Sequence, residues 1–398
     1  MEELAIHGGK PIRETKIYYG RQCIDDEDVQ AVVETLQSPL ITQGPRVARL
    51  EQDLCDYTGA KYAGSCANGT AALHLACMAA GISAGDEVIT TPLTFAASAN
   101  CALYCGGTPV FADIDPTTYN ISPDSILSHI TERTKAVVAV DYTGQPVEIE
   151  RIREICDKYH LVFIEDASHA IGSKYAGKRI GSLADMTTFS FHPVKTVTGG
   201  EGGAVLTDRA DYAERVALFR THGITHADDK MQHPTGEPWY YEQIELGYNY
   251  RLTDFQAALI SSQLRKIDAF AARRKAIVAR YNEAFSDMPE LVVQREIPEA
   301  DTCRHLYVIQ LALEKLTCTR LAFFNAMAAE NVQPQVHYVP VYYFPYYARL
   351  GYRRGLCPNA ERLYERIMSI PLFPAMTDAD VESVIAAVRK VCKAYSRA

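Results

Sequence analysis

Lys195 stands in TTFSFHPVKTVTGGEGG (187–203), after a strand-like Phe-Ser-Phe and before a Gly-rich turn. A lysine that forms a Schiff base must be reachable, partly desolvated and near a phosphate site, and a short strand-to-loop junction can supply that. Ser190, five residues earlier, offers a hydroxyl to an anion at the same place. The Gly run lacks the GxxxxGK[ST] spacing of a nucleoside-triphosphate loop. Taken alone, Lys195 also reads as a solvated surface lysine.

Two further segments carry groups of matching chemistry. LVFIEDASHAIG (161–172) is an apolar strand ending in Glu165-Asp166, with His169 three residues on. A carboxylate at the carboxyl end of a parallel strand sits where such sheets bind ligands, and beside a pyridine nitrogen it would keep that nitrogen protonated. The plainer reading of Asp166 is a cap for the next helix. In SCANGTAALHLA (65–76), small residues open a helix after a short strand-like stretch. Unpaired amides at a helix N-terminus suit a phosphate, so Gly69 and Thr70 could cradle one. Equally, Asn68 or Thr70 could simply cap the first turn.

These segments need a frame that brings strand ends together. Between residues 60 and 210, β-branched runs (87–91, 109–114, 135–140, 161–166 and 203–208) alternate with amphipathic stretches Ala71–Ala80, Ile149–Tyr159 and Tyr212–His222. That alternation predicts an α/β fold with parallel strands and crossover helices. Near Asp254 the pattern changes to one long helical stretch whose charge rises after Arg265. The remainder offers a strand (HLYVIQLAL), a helix (Thr319–Glu330), a Tyr-rich loop (Val336–Tyr352) and a closing helix (Asp378–Tyr395). This predicts an N-terminal arm (1–24), a large domain (25–265) and a smaller α+β domain (266–398).

Composition narrows the function classes. The 398 residues are 47% hydrophobic and 22% charged, ordinary for a globular chain. A net charge of -9 opposes nucleic-acid binding, which needs a positive surface. Apolar stretches are too short for a membrane span, and the acidic start Met1-Glu2-Glu3 is unlike a signal-peptide head, so a cytoplasmic protein is expected. The eleven cysteines are scattered without a CxxC pair. Cys101 and Cys105 share a helical face, yet no His or carboxylate completes a zinc set, and no metal is expected.

The chain resembles the DegT/DnrJ/EryC1/StrS sugar aminotransferases, a branch of the fold-type I pyridoxal-phosphate enzymes. The likeness runs from CIDDEDVQAVVETLQSPLITQGPRVARLE (23–51) through NGTAAL, EDASHAIG, FSFHPVKTVTGGEGGAV and GYNYRLTDFQAAL to SIPLFPAMTDADVESVI (369–385). A narrower likeness, to the pseudaminic acid branch, is carried by VDYTGQPVE, SFHPVKTVT and QVHYVPVYYFPYY. The resemblance implies pyridoxal 5'-phosphate held by Lys195, with Asp166 on the pyridinium nitrogen. It implies Gly69, Thr70 and Ser190 on the phosphate, Phe95 against the ring and His169 near the phenolic oxygen. Asn249 would reach across a homodimer interface to the partner's cofactor phosphate. Tyr19, the turn Pro39-Leu40-Ile41-Thr42, and His337, Tyr338, Val339 and Pro340 would line a nucleotide-sugar pocket. Tyr342, Tyr343, Tyr346 and Tyr347 would add flat surfaces for a uracil ring.

The implied reaction moves an amino group from L-glutamate to a 4-keto-6-deoxy sugar on a nucleotide, a UDP-linked N-acetylhexosamine in the pseudaminic branch. The alternatives are another dTDP- or UDP-keto sugar, or a non-catalytic regulator of the same fold. Deoxysugar dehydratases of the family resemble this chain with His at the lysine position, so Lys195 opposes that role. Gly199-Gly200 departs from relatives that have Thr or Ala in the same turn, which predicts a change in loop stiffness rather than in chemistry.

Overall fold

In a computed structural model, residues 3–397 are described, so Met1 and Glu2 of the acidic start lie outside. Seven strands form the main sheet: β1 (Tyr62–Cys66), β2 (Glu87–Thr90), β3 (Thr108–Phe111), β4 (Thr134–Val140), β5 (Val162–Asp166), β6 (Met186–Ser190) and β7 (Gly203–Thr207). Their spatial order is β1-β7-β6-β5-β4-β2-β3. From β6 to β3 every pairing is parallel, as the alternating pattern predicts. The run at 203–208 breaks that expectation, because β7 pairs antiparallel with both β6 and β1. The connection 191–202, which carries Lys195 and the Gly-rich turn, joins β6 to β7 without a crossover helix and returns the chain in the opposite direction.

Helices α1 (Asp26–Leu36), α2 (Pro45–Thr58), α3 (Gly69–Ala79), α4 (Ala97–Tyr104), α5 (Ile149–Tyr159), α6 (Ala210–Phe219) and α7 (Asp254–Arg265) surround this sheet. Strands buried on both faces explain the near-continuous apolar runs. One face packs through Ile89, Val137, Ala139 and Phe163, the other through Val88, Ala136, Val138 and Ile164 against α3. The long helical stretch after Asp254 is in fact two helices. It breaks at Lys266, and α8 (Ile267–Phe285) continues from there. Lys266 Nζ lies 2.7 Å from both Asp25 and Asp28, so the break is tied to the start of α1.

The C-terminal part is α+β. Strands β8 (Leu291–Val293), β9 (Tyr307–Leu311) and β10 (Ile367–Ile370) form an antiparallel sheet covered by α9 (Arg320–Ala329) and α10 (Asp378–Tyr395). The N-terminal segment packs here too. Leu4 and Ile17 join the apolar cluster of Ile277, Tyr281, Phe323 and Val388. The amides of Ala5 and Ile12 each donate to the buried Glu330 carboxylate at 2.9 Å, and Lys390 Nζ pairs with it at 3.0 Å.

Candidate active site

A cavity of about 500 Å³ opens at the carboxyl ends of β5 and β6, beside the N-terminus of α3. Lys195, Asp166, His169, Gly69, Thr70, Ser190, Phe95, Tyr19, His337 and Tyr338, all singled out from sequence, line it. Each is delivered by a local feature of the chain.

Asn68 caps α3, its Oδ1 accepting the Ala71 amide at 2.8 Å. The cap and the anion readings of this segment therefore coexist: capping uses Asn68, while the Gly69 and Thr70 amides meet no acceptor among the described residues. Glycine at 69 lets the helix start approach β6, since a Cβ there would fall 2.8 Å from Ser190 Cβ. Two amides and the hydroxyls of Thr70 and Ser190 thus converge as donors on one corner of the cavity, backed by the positive end of a helix.

Asp166 ends β5 and is buried. Ser98 Oγ donates to its Oδ2 at 2.6 Å, and the Ser168 hydroxyl and amide donate to Oδ1 at 2.6 and 3.2 Å. The capping alternative holds only for the Ser168 turn; the carboxylate itself faces the cavity. Lys195 is half-buried, open to the cavity but packed closely enough that desolvation lowers its pKa to about 8, with the Asp166 charge opposing the shift. It lines the cavity rather than standing on the open surface. An amine depressed toward neutrality is a nucleophile at neutral pH.

Imidazoles crowd one wall. His169 Nε2 lies 3.1 Å from Tyr338 Oη, and its ring centroid is 4.6 Å from that of His305. His337 Nδ1 meets Ser369 Oγ at 2.8 Å, and its ring sits 4.8 Å from Tyr19. Burial, then the Lys195 charge, holds all three well below the usual histidine range, His337 down to about 3. They are neutral at physiological pH, able to donate or accept one hydrogen bond each.

Other residues singled out from sequence do not line this cavity. The turn Pro39 to Thr42 is exposed and outside this cavity: the Ile41 carbonyl accepts the Asp254 amide, and Thr42 bridges Thr253, pinning the turn to the start of α7. Asn249 is also exposed and outside it, in a bridge to Thr221. Val339 and Pro340 turn away as the Val341 amide bonds the Pro92 carbonyl. Of the tyrosines in the Tyr-rich loop, only Tyr338 reaches the cavity, beside His337. Tyr342 and Tyr347 pack on Phe111, with their hydroxyls on Glu361 and Asn100. Gly199 and Gly200 have a steric reason to be glycine, since a Cβ on Gly199 would lie 2.6 Å from Ile260 and Gly200 adopts φ +79°.

Sequence reasoning missed Ser98 and His305. Ser98 lies one turn after Thr94, which it meets at 2.7 Å, so the spacing was visible but its partner was not. His305 precedes a strand remote in sequence and arrives through the Thr143 carbonyl, which accepts its amide at 2.8 Å. Among the described residues no cluster of three or more His, Cys, Asp or Glu is arranged for a metal, and all eleven cysteines are free.

A match to the DegT/DnrJ/EryC1/StrS aminotransferase family spans residues 22–389. The chain is 40% identical to the spore coat polysaccharide biosynthesis protein SpsC of Bacillus subtilis, over 94% of this chain and 97% of that one. Among solved structures it is similar to Helicobacter pylori PseC, an aminotransferase involved in the biosynthesis of pseudoaminic acid. The TM-score is 0.88 and the identity 33%, covering 96% of this chain and 100% of PseC. It is also similar to Spr1654 of Streptococcus pneumoniae in its PLP-form, at TM-score 0.88 and 28% identity, covering 95% and 99% of the two chains. The cavity fits pyridoxal phosphate on its own groups: an amine of lowered pKa, a buried carboxylate, and a four-donor corner whose amides lack acceptors. The chain therefore belongs to the DegT/DnrJ/EryC1/StrS aminotransferase family, whose members depend on pyridoxal phosphate.

Proposed function

We propose that this chain transfers the amino group of L-glutamate to a nucleotide-linked 4-keto-6-deoxy sugar, a UDP-linked N-acetylhexosamine on a route to a pseudaminic-acid-type sugar. The observation that carries the reading is the placement of Lys195, with its lowered pKa, on one cavity with Asp166 and the Gly69, Thr70 and Ser190 donors. The sugar class draws support from the similarity to PseC and from Tyr19, His337 and Tyr338 on the cavity wall.

Bound, the cofactor supplies an aldehyde that accepts the donor's nitrogen and a ring that takes up the electrons of the broken C–H bond. Lys195 Nζ would hold that aldehyde and, as a free amine, would take and return the proton at the donor's α carbon. Asp166, anchored by Ser98 and Ser168, would hold a proton on the ring nitrogen. The α3 N-terminus with Ser190 would hold the phosphate, and Phe95, exposed at the cavity edge, would pack against the ring. His169, neutral on the cavity wall, would offer a hydrogen bond to the cofactor's phenolic oxygen. His337 offers a neutral hydrogen-bonding group to the sugar or diphosphate without repelling the lysine.

In this reading the arm comprises residues 1–24, the cofactor-binding domain 25–265 and the small domain 266–398, in a cytoplasmic homodimer. Asn249 and the turn Pro39 to Thr42 then serve the partner's cavity. Exposed Leu40, Ile41 and Leu246 beside them are apolar surface suited to an interface. Among the described residues no helix is long and apolar enough to cross a membrane. The test is incubation of the holoenzyme and glutamate with a panel of nucleotide keto sugars, with products identified by mass and NMR. Borohydride reduction and peptide mapping should find the pyridoxyl group on Lys195. A preference for a dTDP sugar without the N-acetyl group would move the chain to another branch, and label on a different lysine would end the Lys195 assignment.

A further inference from the structure

Asp141 and Glu165 stand at the ends of neighbouring parallel strands. Ala139 on β4 pairs with Glu165 on β5, and Val140 pairs with Asp166. Side chains alternate along a strand, so Asp141 and Glu165 share one face of the sheet while Asp166 takes the other, where the cavity lies. Both acids have no solvent exposure, and neither lines the cavity.

The donors available to them are few. Asp141 Oδ1 accepts the Val147 amide at 3.0 Å, and Glu165 Oε2 accepts the Thr187 hydroxyl at 2.9 Å. Asp141 Oδ2 and Glu165 Oε1 have no donor among the described residues. The register of β4 and β5 brings the two side chains together on this face, each with one oxygen lacking a donor. Ionised carboxylates only accept, so a contact between two of them in a buried site requires a proton between them. Arg153 approaches Glu165 from α5 but is engaged by Asp185 at 3.0 Å and Asp157 at 3.7 Å.

We propose that Asp141 and Glu165 form a proton-sharing acid pair. The single negative charge this pair can hold, on the face of the sheet behind Asp166, tunes the proton affinity of the cofactor's ring nitrogen. The inference rests on the pairing of Asp166 with that nitrogen proposed above. Asp141 and Glu165 act through Asp166 and are positioning residues.

Burial raises both acids, Asp141 well above the carboxylate range and Glu165 to about 7, and the Asp166 charge adds to each. The charged groups around the pair are Asp166, with Lys195 beyond it on the cavity side, and Arg153 on the other. Near neutral pH the pair passes from neutral to singly charged. As pH rises, the new charge strengthens the hold on the ring proton just when solution conditions begin to remove it.

The experiment uses holoenzyme reconstituted with pyridoxal phosphate carrying ¹⁵N in the ring, whose chemical shift reports ring protonation against pH. The D141N/E165Q variant has no charge to offer, and its ring-nitrogen midpoint should fall by on the order of one pH unit. In D141N or E165Q alone, the new amide donates to the remaining carboxylate, so the charge is kept and the midpoint does not fall. Infrared spectra of the apo-protein should show a buried protonated carboxyl that either single variant loses, and this arm stands even if the double variant does not fold. An unmoved midpoint in the double variant, or no protonated carboxyl to lose, overturns the proposal. D166N separates the two readings: if it leaves the midpoint unchanged, the Asp166 pairing fails whatever the infrared result.

Discussion

Lys195 and Asp166 are two charges whose environments are set by the backbone that carries them. Three donors from Ser98 and Ser168 hold Asp166 in the cavity. Asp166→Ala should leave cofactor bound but slow both half-reactions, by a factor of roughly 10² or more, since general acid–base steps draw on the electron-poor ring. Single-turnover spectra with glutamate measure this, and near-normal rates would reduce the carboxylate to a structural cap. The Lys195 shift has a definite sign. Burial penalises the ammonium form, so the neutral amine gains population as pH rises and saturates above about 8. Uptake of pyridoxal phosphate by the apo-protein, followed by absorbance, should quicken by about tenfold per pH unit below that value and level off above it. A flat profile between about pH 6 and 8 would contradict it. Lys195, Asp166, Ser190 and the Gly69-Thr70 start were legible because strand-end and helix-start chemistry is local. Ser98 and His305 were not, since their roles exist only once Asp166 and His169 have been brought to them.

Elements were legible where one physical cause decides them. Ile149–Tyr159 and Asp378–Tyr395 were read with the bounds they have, because apolar spacing marks each amphipathic face. The direction of β7 was not, since periodicity is blind to whether a strand runs up or down. The break at Lys266 escaped for a similar reason: the ion pair that ties it to Asp25 and Asp28, some 240 residues away, leaves no trace in local spacing. The Tyr-rich loop misled because aromatic side chains suit a core as well as a ligand. The Glu330–Lys390 pair, joining α9 to α10 and both to the N-terminal segment, is buried at both ends. Lys390→Met leaves the Glu330 carboxylate facing two amides without its cation. It should destabilise the fold by about 3–5 kcal/mol in denaturant unfolding. A loss under about 1 kcal/mol would show that the two amides suffice.

At the scale of the molecule, Asn249 and the Pro39–Thr42 turn are two elements of the expected site that a single chain leaves outside its cavity. Both lie against the start of α7, through the Thr42–Thr253 bridge and the short link from Asn249 to Thr253. If they serve a second copy, mixing Lys195→Ala with Asn249→Ala protein should regain activity that neither has alone. In the mixed dimer one site then receives an intact lysine from one subunit and an intact asparagine from the other. No recovery after subunit exchange would mean that Asn249 does not act across the interface.

The clasp on the N-terminal segment also governs the order in which the chain can be completed during synthesis. Leu4 and Ile17 belong to an apolar cluster that includes Val388 and Cys392, and the amides of Ala5 and Ile12 wait for Glu330 and its partner Lys390. This segment therefore leaves the ribosome long before the residues that seat it, and is among the last to find its place. The large sheet can be assembled while they still hang free. Ribosome-bound chains halted before residue 378 should lose this segment to brief protease treatment, and chains released past Lys390 should keep it. Protection in the shorter chains would mean that the segment is seated by α9 alone.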